Sequence, residues 1–178
     1  ELRAKVVGEG GNLGMTQLGR VEYGLNGGKS NTDFIDNAGG VDCSDHEVNI
    51  KILLGEIVGA GDMTGKQRNK LLVEMTDAVG GLVLGNNYKQ TQALSLAARK
   101  AYERVAEYKR LMSDLEGRGK LDRAIEYLPT EEQLAERAAT GKGLTRPELS
   151  VLISYSKIDL KEALLKSLVP DDAYLTRD

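Results

Sequence analysis

The sequence predicts a mostly helical α/β fold: a parallel sheet of two or three strands near the start, followed by an α-helical region of five or more helices. Three observations predict it. Glycine makes up 21 of 178 residues, about 12% against a usual 7% or so, and it is concentrated between Gly8 and Gly40. Short apolar runs in that same region end at glycine-bearing turns. From about residue 42 onward, apolar residues instead recur at spacings of three and four, the period of a buried helix face.

Taken in order, Ala4-Lys5-Val6-Val7 is an apolar run ended by Gly8, and Asp33-Phe34-Ile35-Asp36 is another, ended by Asn37-Ala38-Gly39-Gly40. Both read as buried strands of an open sheet. Between them, Leu18, Val21 and Leu25 form a short helical stripe. The run Arg20-Val21-Glu22-Tyr23 before Asn26-Gly27-Gly28 equally suits the start of a hairpin, so residues 13–31 are either helix or hairpin. Ser44 and Glu47 have capping-box spacing, and Ile50, Leu53, Leu54 and Ile57 supply an apolar face, which predicts a helix over about 43–59. After Gly59-Ala60-Gly61-Asp62, a second helix is marked by Leu71, Leu72, Met75, Val79, Leu82 and Val83. A third is marked by Leu94, Ala97, Ala101, Val105, Tyr108 and Met112. Thr130 with Gln133 and Thr145 with Glu148 repeat the capping box, and Gly141 sits where a C-terminal glycine cap belongs, predicting helices near 130–139 and 145–168. Pro170 is expected to end the last one.

Composition excludes several function classes. Lys and Arg total 24 against 27 Asp and Glu, a net charge of −3 with a pI near 5.4, whereas a nucleic-acid binder shows a basic excess or patch. No apolar run approaches the roughly 18 residues of a membrane span, and no basic-then-apolar leader opens the chain. One cysteine, Cys43, and one histidine, His46, make neither an internal disulfide nor a closed zinc site. A cytoplasmic, metal-free protein without nucleic-acid or membrane partners is expected. Because it opens at Glu1 and runs at once into an apolar stretch, the chain is read as a fragment of a longer one.

Three segments carry candidate chemistry. Gly8-Glu9-Gly10-Gly11-Asn12-Leu13-Gly14 follows a strand like a pyrophosphate-binding glycine turn, but its third glycine is one place late and Asp33, about 20 residues on, is misplaced for a ribose-binding acid. It is equally a glycine-rich corner, or a loop from which Asn12 contacts a ligand at the strand's carboxyl end. Asn37-Ala38-Gly39-Gly40-Val41 offers a close backbone approach and an Asn side chain that both donates and accepts, suited to a carboxamide or ribose hydroxyl. The plainer reading is a tight turn with Asn37 left-handed. In Asp42-Cys43-Ser44-Asp45-His46-Glu47, Ser44 is a helix N-cap or, at the same helix start, a group that holds a substrate carboxylate. Cys43 reads as a small buried residue, and His46 as a packed or surface residue with no nameable partner.

Val6-Val7-Gly8-Glu9-Gly10-Gly11-Asn12 and Asn37-Ala38-Gly39-Gly40-Val41-Asp42-Cys43-Ser44-Asp45-His46-Glu47-Val48-Asn49 resemble the large bacterial NAD-specific glutamate dehydrogenases, most specifically over Thr32 to Leu54. More distantly, both blocks are similar to the E-G-A-N and N-A-G-G-V segments of the small hexameric glutamate dehydrogenases, in the same order. Gly10 stands where the small enzymes have Ala, and Leu13-Gly14-Met15 replaces their G-P-T.

The resemblance implies a Rossmann-like parallel sheet, with residues 1–60 the C-terminal part of a nucleotide-binding domain and 61–178 a helical C-terminal region. It implies NAD as cofactor, contacted by Asn12 and Asn37 with Gly10 and Gly39 beside them, and Ser44 on a carboxylate of L-glutamate. The parent is expected to be a homo-oligomer that interconverts L-glutamate and 2-oxoglutarate. Nothing in the chain matches the family's catalytic lysines, catalytic aspartate or pyrophosphate turn. No catalytic residue is therefore assigned here, and the fragment alone is expected to be inactive. Two other readings are a non-enzymatic helical interaction module and a nucleotide-binding regulatory domain.

Overall fold

The computed structural model describes residues 2–175. In chain order the elements are β1 (Val6–Val7), α1 (Gln17–Leu25), β2 (Lys29–Ser30), α2 (Asp33–Asp36), α3 (Ala38–Gly59), α4 (Gly65–Glu74), α5 (Thr76–Arg99), α6 (Val105–Gly117), α7 (Glu131–Ala139) and α8 (Arg146–Leu165), with a 3₁₀ turn at Val169–Asp171. The mostly helical α/β class read from the sequence is what the chain adopts. The described residues form two compact units. One is drawn from residues 2–7, 15–32 and 94–175, the other from Gly8–Gly14 and Asp33–Ala93.

In the first unit β1 and β2 pair in parallel, Val6 opposite Lys29 and Val7 opposite Ser30. Parallel strands need a crossover, and α1 provides it, so of the two readings of residues 13–31 the helix forms, over Gln17–Leu25. Thr16 caps it by accepting from the Gly19 N–H. Tyr23 turns its ring back to donate from its hydroxyl to the Ala4 carbonyl at 2.6 Å. A Cβ on Gly28 would lie 2.3 Å from that ring, so a side chain there would push the ring aside and disturb its bond to Ala4. Val6 is exposed, which corrects the expectation of a buried strand: among the described residues the sheet has two strands, too few to bury either on both sides.

The core of this unit gathers Leu94 from α5, Met112 and Leu115 from α6, Leu134 from α7, and Leu149 and Leu152 from α8, each at most 2% exposed. Two helices begin as the capping boxes predict, at Thr130 with Gln133 and Thr145 with Glu148. Gly141 takes a left-handed φ of +72° after α7, as a C-terminal glycine does. The last helix stops at Leu165 instead of near residue 168. There the Ser167 hydroxyl donates to the Leu164 carbonyl and accepts from the Val169 N–H, opening the turn that holds the proline.

Three further expectations are corrected. The second and third apolar stripes are divided differently: Leu71 and Leu72 lie on α4, Val79 through Ala97 on α5, and Val105 through Met112 on α6. Gly80, Gly81 and Gly85 do not break α5, since glycine weakens a helix interior without forbidding it. Asp33–Asp36 is a helical turn, not a strand. The Asp33 carboxylate accepts from the Phe34 N–H and its carbonyl from the Asn37 N–H, while Phe34 is exposed and only Ile35 buried. A four-residue apolar run carries too little periodicity to separate the two. Finally, α3 begins at Ala38, not near 43, so Ser44 lies inside the helix and is not its cap.

Candidate functional site

The sequence-predicted binding residues all fall in the second unit: Gly10 and Asn12 on the loop Gly8–Gly14, Asn37 between α2 and α3, and Gly39 and Ser44 on α3. A Cβ built on Gly8, Gly10 or Gly11 would meet nothing within 4 Å, and none of the three has a positive φ. Packing within the chain therefore does not demand glycine at these positions. Their bare backbone is exposed.

Three hydrogen bonds tie this loop to the α2 turn. Asp36 Oδ2 accepts from the Glu9 N–H at 3.0 Å, Asp33 Oδ2 from the Leu13 N–H at 3.2 Å, and Asn37 Nδ2 donates to Asn12 Oδ1 at 2.8 Å. The structure thus brings together the two asparagines singled out from sequence. Their mutual bond uses one N–H of Asn37 and one lone pair of Asn12. By valence, the pair still offers the Asn12 amide as donor and the Asn37 carbonyl oxygen as acceptor. Asn37 has φ −100° and ψ 15°, so the left-handed turn expected as its plainer explanation is not formed. It is the one non-helical residue between α2 and α3.

Gly39 lies in the first turn of α3, where a Cβ would make ordinary contacts with Asn87 Nδ2 and Val83 Cγ1 at 3.9 and 4.0 Å. Ser44 lies on α3 seven residues, or about two turns, past Asn37. Seven residues bring a side chain back to nearly the same face, about 10 Å along the axis, so Asn37 and Ser44 share a side of the helix start. Ser44 is exposed between Val41 and Val48, themselves 65% and 48% exposed. Because it is past the first turn, the anion-favouring field of the helix terminus does not reach it; any carboxylate it holds is held by its hydroxyl.

Sequence reasoning missed the partners of His46. On α3, Asp42 and His46 are one turn apart, with Nε2 3.8 Å from Asp42 Oδ1. Asn86 of α5 donates its amide to both Asp42 oxygens at 3.1 and 3.3 Å and lies 3.4 Å from His46 Nε2. The i, i+4 spacing of Asp42 and His46 was legible; Asn86, 40 residues away, was not. Cys43 is exposed, contrary to the buried residue expected. Among the described residues, no cluster of three or more His, Cys, Asp or Glu is arranged to hold a metal ion, and no helix is long and apolar enough to cross a membrane.

Residues 1–97, which contain the loop, α2, α3 and the Asn12–Asn37 pair, match the family model described as bacterial NAD-glutamate dehydrogenase, catalytic domain. The chain belongs to that family. Residues 141–178 match a second model, glutamate dehydrogenase, C-terminal. Among individual relatives, the chain is 83% identical over 178 residues to the NAD-specific glutamate dehydrogenase of Pseudomonas aeruginosa. It is 58% identical over 177 residues to that of Halomonas elongata, and 45% over 178 to that of Mycobacterium tuberculosis. These alignments cover 99% or more of the chain but 11% of each relative, so it spans about a ninth of their length. The family resemblance read from Val6–Asn12 and Thr32–Leu54 lies wholly within the matched residues.

Proposed function

We propose that the chain supplies one wall of the cofactor and substrate site in an NAD-dependent glutamate dehydrogenase that converts L-glutamate, NAD and water to 2-oxoglutarate, ammonium and NADH. The observation that carries this reading is the 2.8 Å bond from Asn37 to Asn12. It joins, across 25 residues of sequence, the two asparagines that match the family's nicotinamide-riboside contacts. NAD, when bound, accepts the hydride that leaves the glutamate α-carbon.

The residues present suit that group. Asn12 offers an amide donor and Asn37 a carbonyl acceptor, the complement of a carboxamide or ribose hydroxyl. The open backbone at Gly10 lets a ligand approach without meeting a side chain, and Gly39 keeps the first turn of α3 free of one. Ser44, on the same side of α3, donates its hydroxyl to a carboxylate of glutamate and so orients the amino acid along the helix. Residues 1–60 then form the C-terminal part of a Rossmann-like NAD-binding domain, and 61–178 the helical region that follows it in the chain. The proton-transferring groups of the reaction lie elsewhere in the longer enzyme, which works in the cytoplasm as a homo-oligomer, and the chain by itself is inactive.

The test is glutamate-dependent NAD reduction by the full-length enzyme containing this chain. Ser44→Ala is expected to raise the KM for glutamate, and Asn37→Ala the KM for NAD. Failure of the wild-type enzyme to reduce NAD with glutamate would overturn the proposal.

A further inference from the structure

Resting on the reading that Asn12 faces NAD, we infer that Asp33 is a positioning residue for Asn12, with Asp36 anchoring the far end of the same loop. Asp33, Asp36 and Asn37 stand at i, i+3 and i+4, the spacing that puts three side chains on one face of a helical turn. All three bond the Gly8–Gly14 loop, at Leu13, Glu9 and Asn12 respectively. The α2 turn is therefore a clamp whose three jaws close on either side of Asn12 and on Asn12 itself.

The conformation of Leu13 shows why a clamp is needed. Its φ is +61°, the left-handed region, which the Cβ of a non-glycine residue disfavours. Its side chain is 85% exposed, so apolar packing does not hold it there. The Asp33 carboxylate, accepting from the Leu13 N–H, does, and a charged acceptor makes the stronger kind of backbone hydrogen bond. Without that bond Leu13 returns to a right-handed or extended conformation. The peptide between Leu13 and Asn12 then swings, and the Asn12 amide loses its direction. Asp33 never has to touch the cofactor for this to matter.

The test is a double-mutant cycle in the full-length enzyme, measuring KM for NAD, KM for glutamate and kcat. Asp33→Ala is expected to raise the KM for NAD roughly tenfold and to leave the glutamate KM within about twofold, because Ser44 is not on the loop. In an Asn12→Ala background the same substitution should add less than about twofold, since the group it positions is gone. Asp33→Asn, which keeps an uncharged acceptor, should fall between wild type and alanine, and it takes the place of Asp33→Ala in the cycle if the alanine enzyme does not fold. An unchanged NAD KM in an active enzyme overturns the inference alone, as do effects of Asp33 and Asn12 that multiply independently. A wild-type enzyme that does not reduce NAD with glutamate overturns the dehydrogenase reading and the inference with it.

Discussion

Asn37 donates its side-chain amide to the carbonyl oxygen of Asn12 at 2.8 Å, so one asparagine sets the direction of the other. This separates two roles that an alanine substitution would merge. Asn12→Asp keeps an acceptor for Asn37, now charged, but removes the amide donor and puts a negative charge where the proposed function places NAD. The expected outcome is an unfolding midpoint close to wild type together with a KM for NAD raised roughly tenfold or more. Thermal unfolding of the variant and steady-state kinetics in NAD check the two halves. A variant that keeps wild-type NAD kinetics would show that the Asn12 donor does not face the cofactor.

Ser44 gives a second separation, because the structure takes it out of the cap position. A capping serine replaced by alanine loses about 1 kcal/mol. An exposed serine in a helix interior replaced by alanine gains up to roughly 0.5 kcal/mol, since alanine is the better helix former. Ser44→Ala is therefore expected to hold or slightly raise the urea midpoint while raising the glutamate KM. A loss of stability near the capping value would return Ser44 to the helix start.

The contrast between Ser44 and Thr130 shows what was legible in the sequence. Thr130 with Gln133 and Thr145 with Glu148 follow segments with no other route to a helix start, and both cap as read. Ser44 with Glu47 has the same pattern. However, the α2 turn upstream already sets the chain in helical geometry, so α3 begins at Ala38 and the local signal is overridden. The α2 turn is itself ambiguous in the sequence, because four residues with two apolar side chains look alike as strand or helix until the burial of Ile35 and the exposure of Phe34 are known. Asn12 and Asn37 are each legible in the sequence, from glycine-bearing turns after apolar runs. Their mutual bond, the Asp33 and Asp36 clamp and the Asn86 contact with Asp42 all span 20 residues or more, beyond the reach of any local pattern.

Within the first unit, Arg137 reaches from α7 to Glu148 at the start of α8, its Nη1 2.8 and 2.9 Å from the two carboxylate oxygens. Glu148 is fully buried and also accepts from the N–H and hydroxyl of Thr145. Removing one partner of a buried pair strands the other charge, at a cost of about 3 kcal/mol or more. Arg137→Ala is expected to lower stability by that order. Glu148→Gln, which removes the charge yet keeps an acceptor for Thr145, should cost less. Urea denaturation of the two variants gives the ranking, and an Arg137→Ala loss no larger than that of Glu148→Gln would contradict it.

Asp159 on α8 links the same unit to pH. A hydrogen bond from Arg118 at 2.7 Å, and then one from Lys120, hold its carboxyl below the ordinary 3.8, at about 2. A group whose folded value is depressed adds stability that is fully present above its unfolded value and fades as pH falls through the folded one. The contribution of Asp159 is thus complete at neutral pH and disappears between about 3.8 and about 2. Asp159→Asn never has it. The urea midpoints of wild type and Asp159→Asn should therefore differ near neutrality and converge as pH approaches about 2. The gap should narrow in high salt, since these side chains face solvent and their attraction is screened. Glu162, which also accepts from Lys120 and is held low by it, leaves a shallower acid slope in the variant. A gap that persists unchanged to the acid limit would mean that Asp159 acts through packing and not through its charge.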